Sequence, residues 1–215
     1  IAFQFWIGFG LALLFSKEFP GASLMRGLIL MGWMLPMLVK ATIWKWLFAG
    51  NEGVLNFILR CVGLVENPIL WLTQGGTAMF ALILTNVWVG IPFNMLLLAG
   101  GLITLPKELY EAATIDGANG RQKFLNITFP LMRPTMLSVV ILGVIYTYKV
   151  FELAWVLTGG GPMHMTELLA TLSYKLSFQQ FEFGLGAAVA NILFVMLLLV
   201  GAVYLRLISK EERYV

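Results

Sequence analysis

The residues able to do chemistry in this 215-residue chain are few and widely spaced. His164 and Cys61 are the only ones of their kinds, so no intrachain disulfide can form and no His/Cys set has metal-ligand spacing. The run Gly159-Gly160-Gly161 lacks the Gly-Lys-Ser/Thr ending and the preceding strand of a phosphate-cradling loop. It reads as a flexible connection that carries His164 on its surface. No nucleophile stands with a base and an orienting group, so no catalytic centre, metal or cofactor is expected in the chain itself. What remains is a set of polar residues inside apolar runs. Lys149 and Glu152 lie three apart, with Tyr146 and Tyr148 just upstream. An ionisable residue in hydrocarbon is a functional candidate because its unpaired burial is costly, and at helical spacing the two can pair with each other. Two readings stay open: a self-satisfied pair near the outer interface, or, with Tyr146, part of a water-filled path where a polyhydroxylated solute hydrogen-bonds. Asn94 and Asn191 are further candidates for that path, as is Asn86, although polar residues in spans more often bond neighbouring helices.

A second constellation is a polar interruption, LPKELYEAATIDGANGRQKFLNITFPLMRP, beginning at Leu105. Pro106 suits the first turn of a helix, Thr104 is a candidate cap, and Glu108 and Glu111 stand near the positive helix end. Leu105, Leu109, Ala112 and Ala113 fall close to a helical stripe, and the paired alanines leave a low face that another protein could approach closely. Gly117 permits a backbone turn that a side chain would resist. A second short helix over 121–127 is expected to end before Pro130. The plain alternative is a solvated linker in which Glu111 only complements the helix dipole, worth about 0.3–1 kcal/mol. The length and patterning of the segment favour a docking element.

The elements that must position these residues are membrane helices. The chain is 60% hydrophobic and 12% charged, against about 45–50% apolar residues in soluble domains. A span needs about 20 apolar residues, because in hydrocarbon only a helix or a closed barrel satisfies its own backbone. The stretches 1–15, 27–48, 77–102, 134–157 and 184–208 fit, and barrel-like alternation is absent. Pro36 and Pro92 are expected to kink their helices. The predicted fold is thus an all-α polytopic transmembrane bundle of five spans. The chain begins inside an apolar run with no basic leader, and at least one further N-terminal span is expected upstream. Its domain reading is a single transmembrane domain over 1–208, an inner loop over 103–133, outer loops over 49–76 and 158–183, and a cytoplasmic tail over 209–215. Basic residues keep loops in the cytoplasm. With the polar segment inside, its side holds Lys17, Arg26, Lys107, Arg121, Lys123, Arg133, Arg206, Lys210 and Arg213, and the other side Lys45, Arg60 and Lys175. The formal charge of +3 is scattered between apolar runs, which argues against nucleic acid and for lipid as the surrounding partner.

Glu111-Ala112-Ala113, three residues, Gly117, nine residues, Ile127, one residue, and Phe129-Pro130 resembles the signature loop of ABC importer permeases, whose usual form ends in Leu-Pro. Phe129 is the departure, and it keeps a large apolar side chain there. The run from Leu157 to Pro162 followed by Thr166-Glu167, together with Ile115-Asp116-Gly117-Ala118 and Trp71-Leu72-Thr73, resembles the carbohydrate-uptake branch related to maltose permeases. Such matches extend over about 15–207, nearly the whole chain.

The resemblance implies a multi-pass permease subunit in the cytoplasmic (inner) membrane of a bacterium or archaeon, using alternating access and hydrolysing nothing itself. Its implied partners are a second permease, a dimer of ABC ATPases that holds the ATP, an external solute-binding protein and a sugar substrate. It also implies that Glu111, Ala112, Ala113, Asp116, Gly117, Ile127 and Pro130 form a coupling element docking on the ATPase, with Glu111 meeting a basic residue there. An importer for a polyamine, an amino acid or glycerol phosphate is the nearest alternative. An ion-coupled carrier using Lys149 and Glu152 is a more distant one, and it leaves the polar segment without a purpose.

Overall fold

The computed structural model describes residues 1–211, with side chains as far as Arg206. Among the described residues the chain is all-helical, as the composition predicts, with no strand. In order come α1 (Ala2–Phe15), α2 (Ala22–Met34), α3 (Met37–Leu47), α4 (Val54–Cys61), α5 (Gly75–Ile103), α6 (Lys107–Ile115) and α7 (Gly120–Lys123). After a π-helical turn at Phe124–Thr128 follow α8 (Phe129–Leu131), α9 (Arg133–Tyr148), α10 (Glu152–Leu157) and α11 (Leu169–Tyr174). A second π-helical turn, Lys175–Gln179, precedes α12 (Phe183–Glu211). Residues 209–211 of the expected tail continue α12, and 212–215 lie outside the described residues.

Chain chemistry sets the breaks. Pro36 cannot donate an amide hydrogen and restricts the residue before it, so α2 stops at Met34 and α3 starts after Pro36. Pro92, in contrast, lies within α5, which continues on both sides of it. Among the described residues, only α5, of 29 residues, and α12 are each long and apolar enough to cross a bilayer alone. The number rises to four if α2 with α3, and the 120–131 segment with α9, are each taken as one broken span. α1 has 14 residues and is about 21 Å long. The expected span over 134–157 is not one helix, because the chain leaves helical geometry between Tyr148 and Glu152.

The chain packs as two compact units. The first holds Ile1–Trp33, Gly90–Val144 and the described residues from Val200 onward. Its core is Phe5, Phe9, Ala12, Phe15, Ala22, Met95, Leu98, Met132, Met136 and Val139, drawn from α1, α2, α5, α9 and the bend just before α9. Gly8 lets α1 and α5 approach closely: a Cβ there would lie 2.7 Å from Asn94 Cβ and 3.0 Å from the Met95 nitrogen. Small residues at helix contacts matter in lipid, where packing rather than the hydrophobic effect holds helices together. The second unit holds Met34–Val89 and Ile145–Leu199. Its core joins Ala41 and Phe48 with Ala81, Leu82, Leu153, Ala154 and Leu157, and α10 packs on α3.

Candidate functional site

The polar segment is built on the first unit. Leu105, Phe124 and Phe129 pack against its core, and rings run from Phe9 to Phe124 at 6.0 Å and on to Phe129 at 6.3 Å. The residue that departs from the Leu-Pro pattern therefore supplies an aromatic anchor. Pro106 occupies the cap position of α6, whose first turn contains Glu108. The C-terminus of α6 closes as a Schellman turn: the Ala118 amide donates to Ala113 at 2.8 Å and the Gly117 amide to Thr114 at 3.1 Å. Gly117 stands at φ +74°, in the left-handed region that glycine adopts without steric cost.

One face of α6 is tied down. The Tyr110 hydroxyl and Thr128 Oγ1 share a hydrogen bond of 2.9 Å, and Lys123 Nζ donates to Thr114 Oγ1 at 2.7 Å. The opposite stripe, Glu108, Glu111, Ala112 and Ile115, faces outward. Ile115 is 88% exposed, a large apolar side chain with no cover in the chain. The two alanines divide between the faces, Ala112 exposed and Ala113 half-buried, so the smooth paired face expected from the sequence is replaced by one alanine framed by Glu111 and Ile115. Asp116 and Gly117 are exposed, and Ile127 and Pro130 are half-buried.

After Gly117, Asn119 starts α7 through a capping box. Gln122 N donates to Asn119 Oδ1 at 3.0 Å, and Asn119 N donates to Gln122 Oε1 at 2.8 Å. The second helix does not stop before Pro130 as expected. It widens, with the Phe129 amide reaching back to the Phe124 carbonyl, and carries on to Leu131 before a 65° bend into α9. The wide turn accommodates a proline that could not donate to a tighter ladder.

The intramembrane candidates are less unified. Lys149 and Glu152 do not form the pair that their spacing allows, because helical spacing is lost between them: α9 ends at Tyr148. Lys149 Nζ instead lies 4.5 Å from the centre of the Tyr146 ring, a cation–π contact. Glu152 opens α10, which packs on α3, the helix that holds the buried Lys40. Tyr146, Lys149 and Glu152 are all exposed. Asn94 is buried and its Nδ2 donates to the Gly90 carbonyl at 2.8 Å, within its own helix. Asn191 stands exposed on α12, whose apolar window has no fully buried residue.

Two polar knots in the second unit carry no weight in the sequence reading. Asn56 is 1% exposed; its Nδ2 donates to the Gly50 and Ile69 carbonyls, and its Oδ1 accepts from Ile69 N and Trp71 Nε1. Glu167 accepts from Lys175 Nζ and from Thr171 Oγ1 at 2.5 Å, with His164 Nδ1 3.1 Å away. Burial alone would raise the Glu167 carboxyl, but these bonds outweigh it and hold it below the usual carboxylate range. Gly160, at φ +86°, makes room: a Cβ there would lie 2.5 Å from Glu167 Oε2. The four-residue spacing of Glu167, Thr171 and Lys175 was the available signal; for Asn56 there was none.

Residues 4–212 match the model of the family described as binding-protein-dependent transport system inner membrane component. A probable ABC transporter permease of Brucella suis is 35% identical over 94% of this chain and 70% of its own length. The trehalose/maltose transport system permease of Thermococcus litoralis is 34% identical over 93% of this chain and 67% of its own length. The crystal structure of a bacterial ABC transporter involved in import of the acidic polysaccharide alginate contains a chain of similar fold, with TM-score 0.81 at 21% identity, over 94% of this chain and 72% of that one. The chain belongs to the family of inner-membrane components of binding-protein-dependent transport systems.

Proposed function

We propose that the chain is the multi-pass permease subunit of an ATP-driven, binding-protein-dependent ABC importer for a sugar or oligosaccharide in a bacterial or archaeal cytoplasmic membrane. The observation that carries the reading is the outward stripe Glu108, Glu111, Ala112 and Ile115, on a helix whose other face is hydrogen-bonded to the segment that follows it. A rigid short helix that presents an uncovered isoleucine and two carboxylates suits a groove with an apolar floor and a basic rim on a separate ATPase. Asp116 and Gly117 shape the end of that helix, while Ala113, Ile127 and Pro130 seat the segment. ATP-driven closure of the ATPase dimer moves the segment, and α9, entered directly from it, moves with it.

A second permease completes the pore, an external binding protein delivers the solute, and hydrolysis belongs to the ATPase. The sugar assignment is supported by the trehalose/maltose relative. Five spans result when α2 is joined to α3 and α9 to α10, with α1, α5 and α12. Tyr146, Lys149, Glu152, Asn94 and Asn191 are the candidates for the substrate path, of which Tyr146 and Lys149 already form a joint polar surface.

Reconstitution with the ATPase, the second permease and the binding protein tests the reading. Uptake of the binding protein's sugar should require ATP, and Ile115→Asp should abolish it while the purified permease keeps its thermal midpoint. Uptake driven by an ion gradient without the ATPase would replace this reading with a secondary carrier.

A further inference from the structure

The first unit contains a cavity of about 720 Å³ beside the start of α6, within the roughly 300–1,000 Å³ typical of ligand sites. Its cations are Lys17 from the α1–α2 connection, Arg26 from α2 and Lys107 from α6, against one carboxylate, Glu18. Among the described residues no ion pair engages Lys17 or Lys107. Arg26 is held in place, donating Nη2 to the Phe15 carbonyl at 2.6 Å with its guanidinium 5.9 Å from the Phe15 ring centre, and a guanidinium has five donors to share. The remaining wall is largely apolar, including Phe15, Phe19, Leu102 and Leu105. Three cations beside an apolar wall, on the side that the basic residues assign to the cytoplasm, match an anionic amphiphile rather than a soluble solute.

We propose that this cavity binds the headgroup of an anionic phospholipid, its phosphate meeting Lys17, Arg26 and Lys107 and the start of an acyl chain lying against Phe19, Leu102 and Leu105. One bound headgroup would bridge the α1–α2 connection and the first turn of α6, so anionic lipid would hold the docking helix in position. The regulatory consequence rests on the proposed role of α6. The binding claim does not.

The test is therefore read without ATP. The assembled transporter is exchanged into phosphatidylcholine nanodiscs with and without phosphatidylglycerol, and retained lipid is counted by native mass spectrometry. Retention of phosphatidylglycerol should exceed that of phosphatidylcholine. It should weaken roughly thirtyfold in the Lys17→Gln/Lys107→Gln variant, taking about 1 kcal/mol per cation, and return with Lys17→Arg/Lys107→Arg. Arg60→Gln, which removes an exposed cation outside the cavity, should leave retention unchanged. Equal retention of both lipids, displacement by millimolar inorganic phosphate, or loss of the ATPase instead of lipid from the Lys17/Lys107 variant would each overturn the proposal. If lipid binds as described but has no effect on ATP-driven uptake, only the link to α6 fails.

Discussion

Gly117 stands at φ +74° with nothing within 4 Å of where a Cβ would be. The cost of Gly117→Val is therefore conformational, about 1–2 kcal/mol for an L-residue in that region. It should fall on the end of α6 and leave the helix cores intact. We expect that variant to retain its overall thermal midpoint and to lose most ATP-coupled uptake, while ATPase activity in the complex becomes independent of loaded binding protein. At Glu167 the lowered carboxyl sets the sign of a pH effect. Its stabilisation is fully present above the ordinary carboxylate pKa and is lost as pH falls through the lower folded value. Acidification below the usual carboxylate range should loosen the 158–183 loop, read as faster amide exchange at Leu168 and Leu172. Glu167→Gln should remove the pH dependence. Lys175→Met, leaving a carboxylate that is 11% exposed without its ammonium, should destabilise the loop at neutral pH by up to about 3–5 kcal/mol, less to the extent that water reaches the site.

Elements decide what the residues cannot. Lys149 and Glu152 have the spacing of a helical pair, yet the helix between them does not exist, so a double-substitution cycle with Lys149→Met and Glu152→Gln should be additive within about 0.3–0.5 kcal/mol. The same cycle with Lys40→Met and Glu152→Gln should show coupling, since α10, which begins at Glu152, packs on α3, which holds the buried Lys40. The 49–76 loop is likewise an element problem. Asn56 replaces a regular ladder by serving four backbone and ring partners. Asn56→Leu strands them, at about 1–3 kcal/mol for each group left unsatisfied. Exchange at the Ile69 amide should accelerate at least tenfold, with little change at α9 amides.

At the scale of the whole molecule, what was legible in the sequence was what repeats along the chain. Apolar runs announced the all-helical class and the location of α5 and α12, because burial in hydrocarbon is a property of every residue in a run. The polar segment was legible in outline because Glu111, Gly117 and Pro130 sit at fixed spacing. Its details were not: the bend at Met132, the π-helical turn that carries the chain past Pro130, and the exposure of Ile115 all follow from how Phe124, Phe129 and Tyr110 pack. The Lys149–Glu152 break and the Asn56 knot were hidden for the same reason, since both depend on partners distant in sequence. Packing also separates the path candidates: Asn94 is spent inside its own helix, whereas Lys149 and Tyr146 stand exposed together. Single-thiol labelling is the sharpest test of the proposal that the outward stripe of α6 docks on the ATPase. Cys61 is the sole cysteine, so Cys61→Ser with Ile115→Cys gives one reactive position. In the isolated permease that thiol should react rapidly with a water-soluble maleimide. In the assembled transporter it should be protected and should cross-link to the ATPase, to an extent that changes when ATP is added. Labelling at an unchanged rate in the assembled transporter, with no cross-link to the ATPase, would contradict the claim.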